Sequence, residues 1–376
     1  MNELYNLSNL VTSGLLLAYG LMFLFTVMPD NPLPGNYRKA RYMMAFAYLF
    51  FFSMGIAEYL LGNSSETDIS LMKTITLSIA ASQALLFTLA LFALLEVRFP
   101  GWQYIFYEVT LVLLLIAGIF TAYFLCSEDY FNVAFYVFAG IYVLLLAHYT
   151  YLFLTIYRRF RFRMDNYFSD LDAGRLRWVF FSFFAALSIG ITALLSAAFM
   201  TTLIALIFTL VFDIFYTFFT FRFINYAYQF YAIERALDNT MSKETETALL
   251  EETITGNEPV GTYDRPSFAA LEKKIEHWVA DKGFTEQGIT IDTLASKILT
   301  NNKYLSTYIN AYKKQTFREW INELRIEESK ILLLQYPQMT VNEISAQTGF
   351  SDKSHFLRQF KKQSGISTTD WKNKCV

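Results

Sequence analysis

A chain of 376 residues that is 54% hydrophobic, with a mean hydropathy of +0.31 and a formal net charge of -2, is more apolar than soluble chains of ordinary composition and long enough for two domains. Its three histidines are scattered at 148, 277 and 355, and its two cysteines at 126 and 375, which leaves no disulfide framework and no metal cluster by spacing. No Gly-rich phosphate loop or nucleophile elbow appears either, so the expectation is a protein that is not an enzyme and needs no cofactor or metal.

The apolar residues gather ahead of Tyr226. Residues 1–9 carry no basic group, so the charged start of a secretory signal is missing and the first apolar run is read as retained. Crossing roughly 30 Å of hydrocarbon takes about 20 helical residues. Seven stretches meet that length, at 7–28, 42–61, 74–95, 104–125, 132–156, 178–198 and 203–223, the last two parted only by a turn at Ala198 to Thr202. Loop charge gives the orientation, because Lys and Arg are held on the cytoplasmic side. Arg38, Lys39 and Arg41 follow the first span, Arg98 the third, and Arg158, Arg159, Arg161, Arg163, Arg175 and Arg177 the fifth. The alternate loops hold Lys73 alone among basic residues, beside Glu66, Asp68, Glu128 and Asp129. The N-terminus is therefore expected outside and the C-terminus inside, which separates Cys126 from Cys375.

Inside the spans the polar residues are few. Asp213 falls near the middle of the seventh, His148 in the fifth and Gln83 in the third, with Glu58 and Glu108 nearer span ends. A carboxylate at bilayer depth faces a bundle interior or a wet cavity, so Asp213, with His148 second, is the candidate for sensing a small-molecule or membrane signal. A hydrogen-bonded structural Asp is an equal reading of Asp213, and for His148, Glu58 and Glu108 interhelical bonding or an interfacial position is the stronger one. The sequence names no ligand.

Phe223 to Met241 continues in a helical pattern, with Phe230, Ile233 and Leu237 at spacings of three and four. Such a helix fits signal transmission, pairing with its copy in a homodimer, or an amphipathic stretch at the interface. Asp238 to Asp264 then holds seven acidic residues against Lys243, with Gly256, Pro259 and Gly261 toward its end: a flexible acidic linker. The domains are accordingly 1–224, a seven-helix membrane domain; 225–264, helix and linker; and 265–376, a compact helical domain with 17 basic and 12 acidic residues.

In that last domain Thr290 precedes Ile291, Leu294, Ala295 and Ile298, a turn follows over Leu299 to Asn302, and Leu305, Tyr308 and Ile309 form a second stripe. Two short helices joined by a tight turn make a helix-turn-helix. The pattern recurs fifty residues on: Thr340 and Glu343 form a capping box, Ile344 begins the stripe, Gly349 supplies the turn, Ser351 can cap, and Phe356 and Phe360 face inward. Leu294 maps to Ile344 and Leu305 to Phe356, offsets of 50 and 51. Between the copies, Trp320, Ile321, Leu324 and Leu332 mark one face of a linking helix.

These segments resemble the AraC/XylS-type DNA-binding domain, above all Glu343-Ile344, Gly349-Phe350-Ser351-Asp352, Ser354-His355-Phe356, Phe360-Lys361 and Gly365. Lys314 stands where the first unit of that family usually has Gly, Thr307 where Arg is common, Ser345 where Ala is common and Thr368 where Pro is usual. The resemblance implies an all-α fold, double-stranded promoter DNA as partner, and two recognition helices entering successive major grooves about one turn apart. Groove-facing residues would be Lys303, Ser306, Thr307 and Asn310 in the first unit and Lys353, Ser354, Arg358 and Lys361 in the second. Arg358 suits a bidentate contact with guanine and the lysines suit phosphates. The expectation is a membrane-anchored transcription regulator with DNA, the lipid bilayer and a second copy of the chain as partners. The rival is a transporter-like or receptor-like membrane protein whose tail serves as a protein interaction module.

Overall fold

A computed structural model of the chain describes residues 2–26, 35–62, 69–95, 102–170, 174–199, 202–239 and 265–375. The acidic linker over 240–264, the loop with Glu66 and Asp68, and Arg98 lie outside the described residues, as does the side chain of Glu58. Among the described residues the architecture is helical, without strands, and divides into two compact units. The first comprises residues 1–158 and 177–234; the second comprises 159–176 and 235–376.

Seven helices form the first unit: α1 (Asn2–Phe25), α2 (Gly35–Gly62), α3 (Ile69–Leu95), α4 (Trp102–Leu125), α5 (Glu128–Tyr167), α6 (Gly174–Phe199) and α7 (Thr202–Asn239). All seven are long and apolar enough to cross a membrane. Of the apolar stretch of α3, 78% is buried, against 28–39% in the other six, so α3 is the axis around which they pack. Leu77, Ala81 and Leu85 of α3 share one core with Val112, Leu115 and Ile119 of α4, Phe135 and Tyr142 of α5, and Ala193 of α6. Outward-pointing Leu114, Phe124, Val133, Leu144, Leu210, Ile214 and Phe218 stay exposed. So large an apolar surface is a liability in water and an asset in lipid.

α5 exceeds the expected 132–156 span at both ends, because Arg158 to Arg163, read from charge as loop, have good helix propensity and continue the helix. Its residues from Arg159 on belong to the second unit.

The second unit is built in the opposite sense, with polar surfaces and narrow apolar stripes. α8 (Arg265–Ala280) and a short 3-10 turn (Gly283–Thr285) lead into α9 (Ile291–Lys297) and α10 (Asn302–Thr307), which runs on through a π-helical turn over Tyr308–Tyr312. The long α11 (Phe317–Gln335) connects to α12 (Val341–Gln347), α13 (Lys353–Ser364) and α14 (Thr368–Cys375). Side chains cap the starts of the short helices. Thr290 caps α9 with Thr293, and Thr340 caps α12 with Glu343, each a reciprocal capping box. Asn301 caps α10 and Asp352 caps α13. Asp352 thus takes the role expected of Ser351, its two carboxylate oxygens accepting the N–H groups of Ser354 and His355 at 3.0 Å. The core joins Ile326 and Leu333 of α11 to Ile344, Phe350, Phe356 and Phe360, and burying each such aromatic contributes roughly 2 to 3 kcal/mol.

Candidate nucleic-acid interface

The two pairs α9–α10 and α12–α13 repeat each other residue by residue. Thr290 and Thr340 cap the first helices, Asn301 and Asp352 the second, and Leu294, Leu305 and Ile309 fill the core positions of Ile344, Phe356 and Phe360. Tight turns join them. Leu299 and Gly349 both have positive φ, 52° and 87°, and so do Lys314 and Gly365 beyond the second helices, at 54° and 78°.

α11 fixes the pairs relative to each other through groups the sequence reading overlooked. Expected core residues Leu324 and Leu332 are half-buried, while Arg325, Ile326 and Leu333 are buried. Arg325 is wholly buried; its guanidinium donates to the backbone carbonyls of Phe284 at 2.8 Å and Glu286 at 2.7 Å, stands over the Phe350 ring, and pairs with Asp170. Burial works against the Arg325 charge and Asp170 restores it. The one signal available in the sequence was the run Leu324-Arg325-Ile326, where a charge interrupts an apolar face.

Residues 294–374 match the family described as "Helix-turn-helix domain". The uncharacterized HTH-type transcriptional regulator YpdC of Escherichia coli (strain K12) is 24% identical over 115 residues, 31% of this chain and 39% of that protein. The HTH-type transcriptional activator RhaR of Salmonella dublin is 25% identical over 88 residues, 23% of this chain and 31% of that protein. Residues 294–374 are an AraC-type helix-turn-helix domain. The chain spans less than half the length of the curated relatives it matches, and no solved structure matches it.

In this AraC-type domain the second unit presents Lys353, Ser354, Arg358 and Lys361, all exposed, along α13. Their geometry suits a helix lying in a groove. His355 beside them is buried; its pKa is pushed down to about 4, first by burial and then by the Arg318 guanidinium, so it is a neutral packing group. In the first unit the four expected residues divide. Lys303 is exposed and Asn310 half-buried, but Ser306 and Thr307 are 4% and 7% exposed. Both are therefore closed to a groove in this arrangement. Asn310 turns inward along its own helix, donating to the Ser306 carbonyl at 2.9 Å and the Ser306 hydroxyl at 3.1 Å.

Within the seven-helix unit, Asp213 of α7 accepts a hydrogen bond of 2.9 Å from the Thr12 hydroxyl of α1. It heads a polar stripe down α7: Gln83 of α3 donates to Tyr216, Tyr19 of α1 bonds Thr217 at 2.5 Å, and Tyr48 of α2 bonds Thr220 at 2.8 Å. Thr12, Ser13, Gln83 and Thr209 line a cavity of about 120 Å³. His148 of α5 bonds the buried Glu108 of α4 at 3.0 Å, an interhelical pair. Asp213 and His148 are therefore not brought together into one site.

Proposed function

We propose that the protein is a membrane-anchored, sequence-specific transcription regulator. Its seven helices lie in the inner membrane with the N-terminus outside, they respond to a small-molecule or membrane signal, and the AraC-type domain reads promoter DNA from the cytoplasmic face. The observation that carries this is the open row Lys353, Ser354, Arg358 and Lys361 on α13, at the second helix of a helix-turn-helix. The loop charges support the orientation, since the basic loops and the C-terminal domain fall on one side. Asp213, hydrogen-bonded by Thr12, a residue that lines the cavity, is the residue through which the membrane domain would register a signal. Each subunit of a homodimer would bring one AraC-type domain to the DNA.

Titration of the full-length protein in detergent against specific and scrambled duplexes, at several salt concentrations, tests the reading. Lys361→Ala should weaken both duplexes alike and flatten the salt dependence by about one unit of slope, whereas Arg358→Ala should lose about 1 to 3 kcal/mol on the specific duplex alone. Equal weakening of both duplexes by Arg358→Ala would remove that residue from base reading. Absence of any duplex binding at low salt would return the chain to the interaction-module rival.

A further inference from the structure

The two reading helices offer a comparison internal to the molecule. At the offset of 51, Lys303, Thr307 and Asn310 of α10 correspond to Ser354, Arg358 and Lys361 of α13. The three on α13 are exposed, yet Thr307 is buried where Arg358 is open. Helical phase does not turn it toward the core of its own unit. Leu305, Tyr308 and Ile309 mark the core side of α10, and at about 100° per residue Thr307 falls on the far side, with Lys303 one turn before it.

The stretch Arg159–Asp170, the end of α5 and the turn after it, belongs to the same compact unit. Its polar groups anchor on both borders of α10. At the near border, the Tyr167 hydroxyl donates to the Asp292 carboxylate, which also accepts from Asn302 in the first turn of α10. At the far border, the Asn166 side-chain carbonyl accepts the Phe317 N–H at 3.4 Å, and Asp165 pairs with Arg318 at 3.0 Å. Beyond these the stretch continues along the domain: the Ser169 N–H and hydroxyl both donate to the Ile289 carbonyl, at 3.2 and 2.7 Å, and Asp170 accepts the Gly288 N–H at 2.7 Å. Met164, Asn166 and Tyr167 are buried, each 3% exposed or less. A solvated loop does not bury its side chains so completely.

We propose that residues 159–170 are an intramolecular lid on the first helix-turn-helix unit, docked over the Ser306 and Thr307 end of α10 where DNA would lie, so that the chain holds one reading helix partly shut and one open until the lid leaves. The proposal rests on the DNA-binding reading above and adds its regulation. The lid occupies Arg318 with a carboxylate, and an arginine at the start of a helix bordering the groove-facing surface is a group that phosphate would otherwise engage. With only α13 fully open, the domain reaches a single groove in full, which leaves weak binding from little more than half of the interface. Undocking of the lid restores the second. Because the lid is the direct continuation of α5, whatever shifts that helix acts on it without a separate relay.

The test is the full-length double variant Asp165→Asn with Tyr167→Phe. It removes one ion pair and one hydrogen bond of the lid and retains Asp170, so the buried Arg325 keeps its partner. With a random-sequence duplex at low salt, the variant should bind about tenfold more tightly than the wild type, since the closed state scales down the apparent affinity. Affinity equal to or below that of the wild type would overturn the proposal, making residues 159–170 a mere support of the domain. A second readout does not involve DNA. Thr307→Cys in a Cys126→Ser, Cys375→Ser background should react with a maleimide about tenfold faster when the lid variant is also present. Equal reaction rates would overturn the lid even if affinities differed. If neither chain bound duplex, the function would be refuted, and the labelling rates would still decide whether the lid exists.

Discussion

The two helix-turn-helix units follow one plan fifty residues apart and meet its demands with different residues. Both need a backbone with positive φ between their helices: the second unit supplies Gly349, the first Leu299. Both need the same conformation after the second helix: Gly365 in one, Lys314 in the other. For any residue but glycine that conformation costs about 1 kcal/mol or more, so the first unit carries backbone strain that the second avoids. The more strained unit is also the one whose reading helix is partly covered. The difference teaches that repetition of a motif carries over the fold but neither the stability nor the openness of each copy.

The largest break in this comparison comes from giving the second unit the first unit's chemistry. Gly349→Ala places a Cβ against the Thr285 backbone carbonyl as well as in a left-handed conformation, whereas the Leu299 side chain is largely exposed. Strain and overpacking together should destabilise the α12–α13 pair by about 2 to 5 kcal/mol, and hydrogen exchange of the Phe356 and Phe360 amides measures it. Unchanged protection there would show that the close packing of Gly349 on Thr285 can relax.

Acid separates the units next. The second holds His355 neutral, with a pKa of about 4, whereas the offset-51 position of the first is Tyr304, stacked on Phe268. An unfolded chain protonates His355 near pH 6.5, so its contribution to stability is complete above that value and is lost as pH falls toward about 4, at most about 3 kcal/mol in all. Hydrogen exchange corrected for its intrinsic rate should lose protection in α13 between about pH 6.5 and pH 4.5 in the wild type, and less in His355→Gln. Equal losses in both chains would assign the acid sensitivity to other groups.

Much of this was legible in the sequence because it is local. Thr290, Thr340 with Glu343, Gly349 and the inward Phe356 and Phe360 are set by neighbours within four residues, and the family match and the helical fold agree with that reading. The seven apolar helices were legible from length and composition. Arg325 was not, since its partner Asp170 lies 155 residues away, and a buried arginine looks the same in sequence as an exposed one. The closure of Ser306 and Thr307 was hidden for the same reason. Helical phase turns Thr307 outward, and only the fold reveals that residues 165–170 bond to Asp292 and Phe317 on either border of that helix. A hint did exist: Asp165, Asn166, Tyr167 and Asp170 follow the arginine run as a cluster of hydrogen-bonding groups just where a loop was expected.

The smallest effect sharpens the comparison from the other side, by giving the first unit the second unit's glycine. Leu299 is 82% exposed and its carbonyl, which accepts from Lys274 at 3.1 Å, survives substitution, so Leu299→Gly removes strain and little packing. Relief of a left-handed non-glycine residue gains about 1 to 2 kcal/mol, and the added freedom of glycine in the unfolded chain returns about 0.4 to 1 of it. A net stabilisation of about 1 kcal/mol should remain, read as increased protection of the Leu305 and Ile309 amides. Leu299→Ala is the control that decides the cause. It deletes the same exposed apolar side chain but keeps the Cβ that makes the conformation costly, so it should leave stability where it is. A gain of the same size from alanine would trace the effect to the exposed leucine itself, and the strain assigned to the first unit's turn would have to be withdrawn.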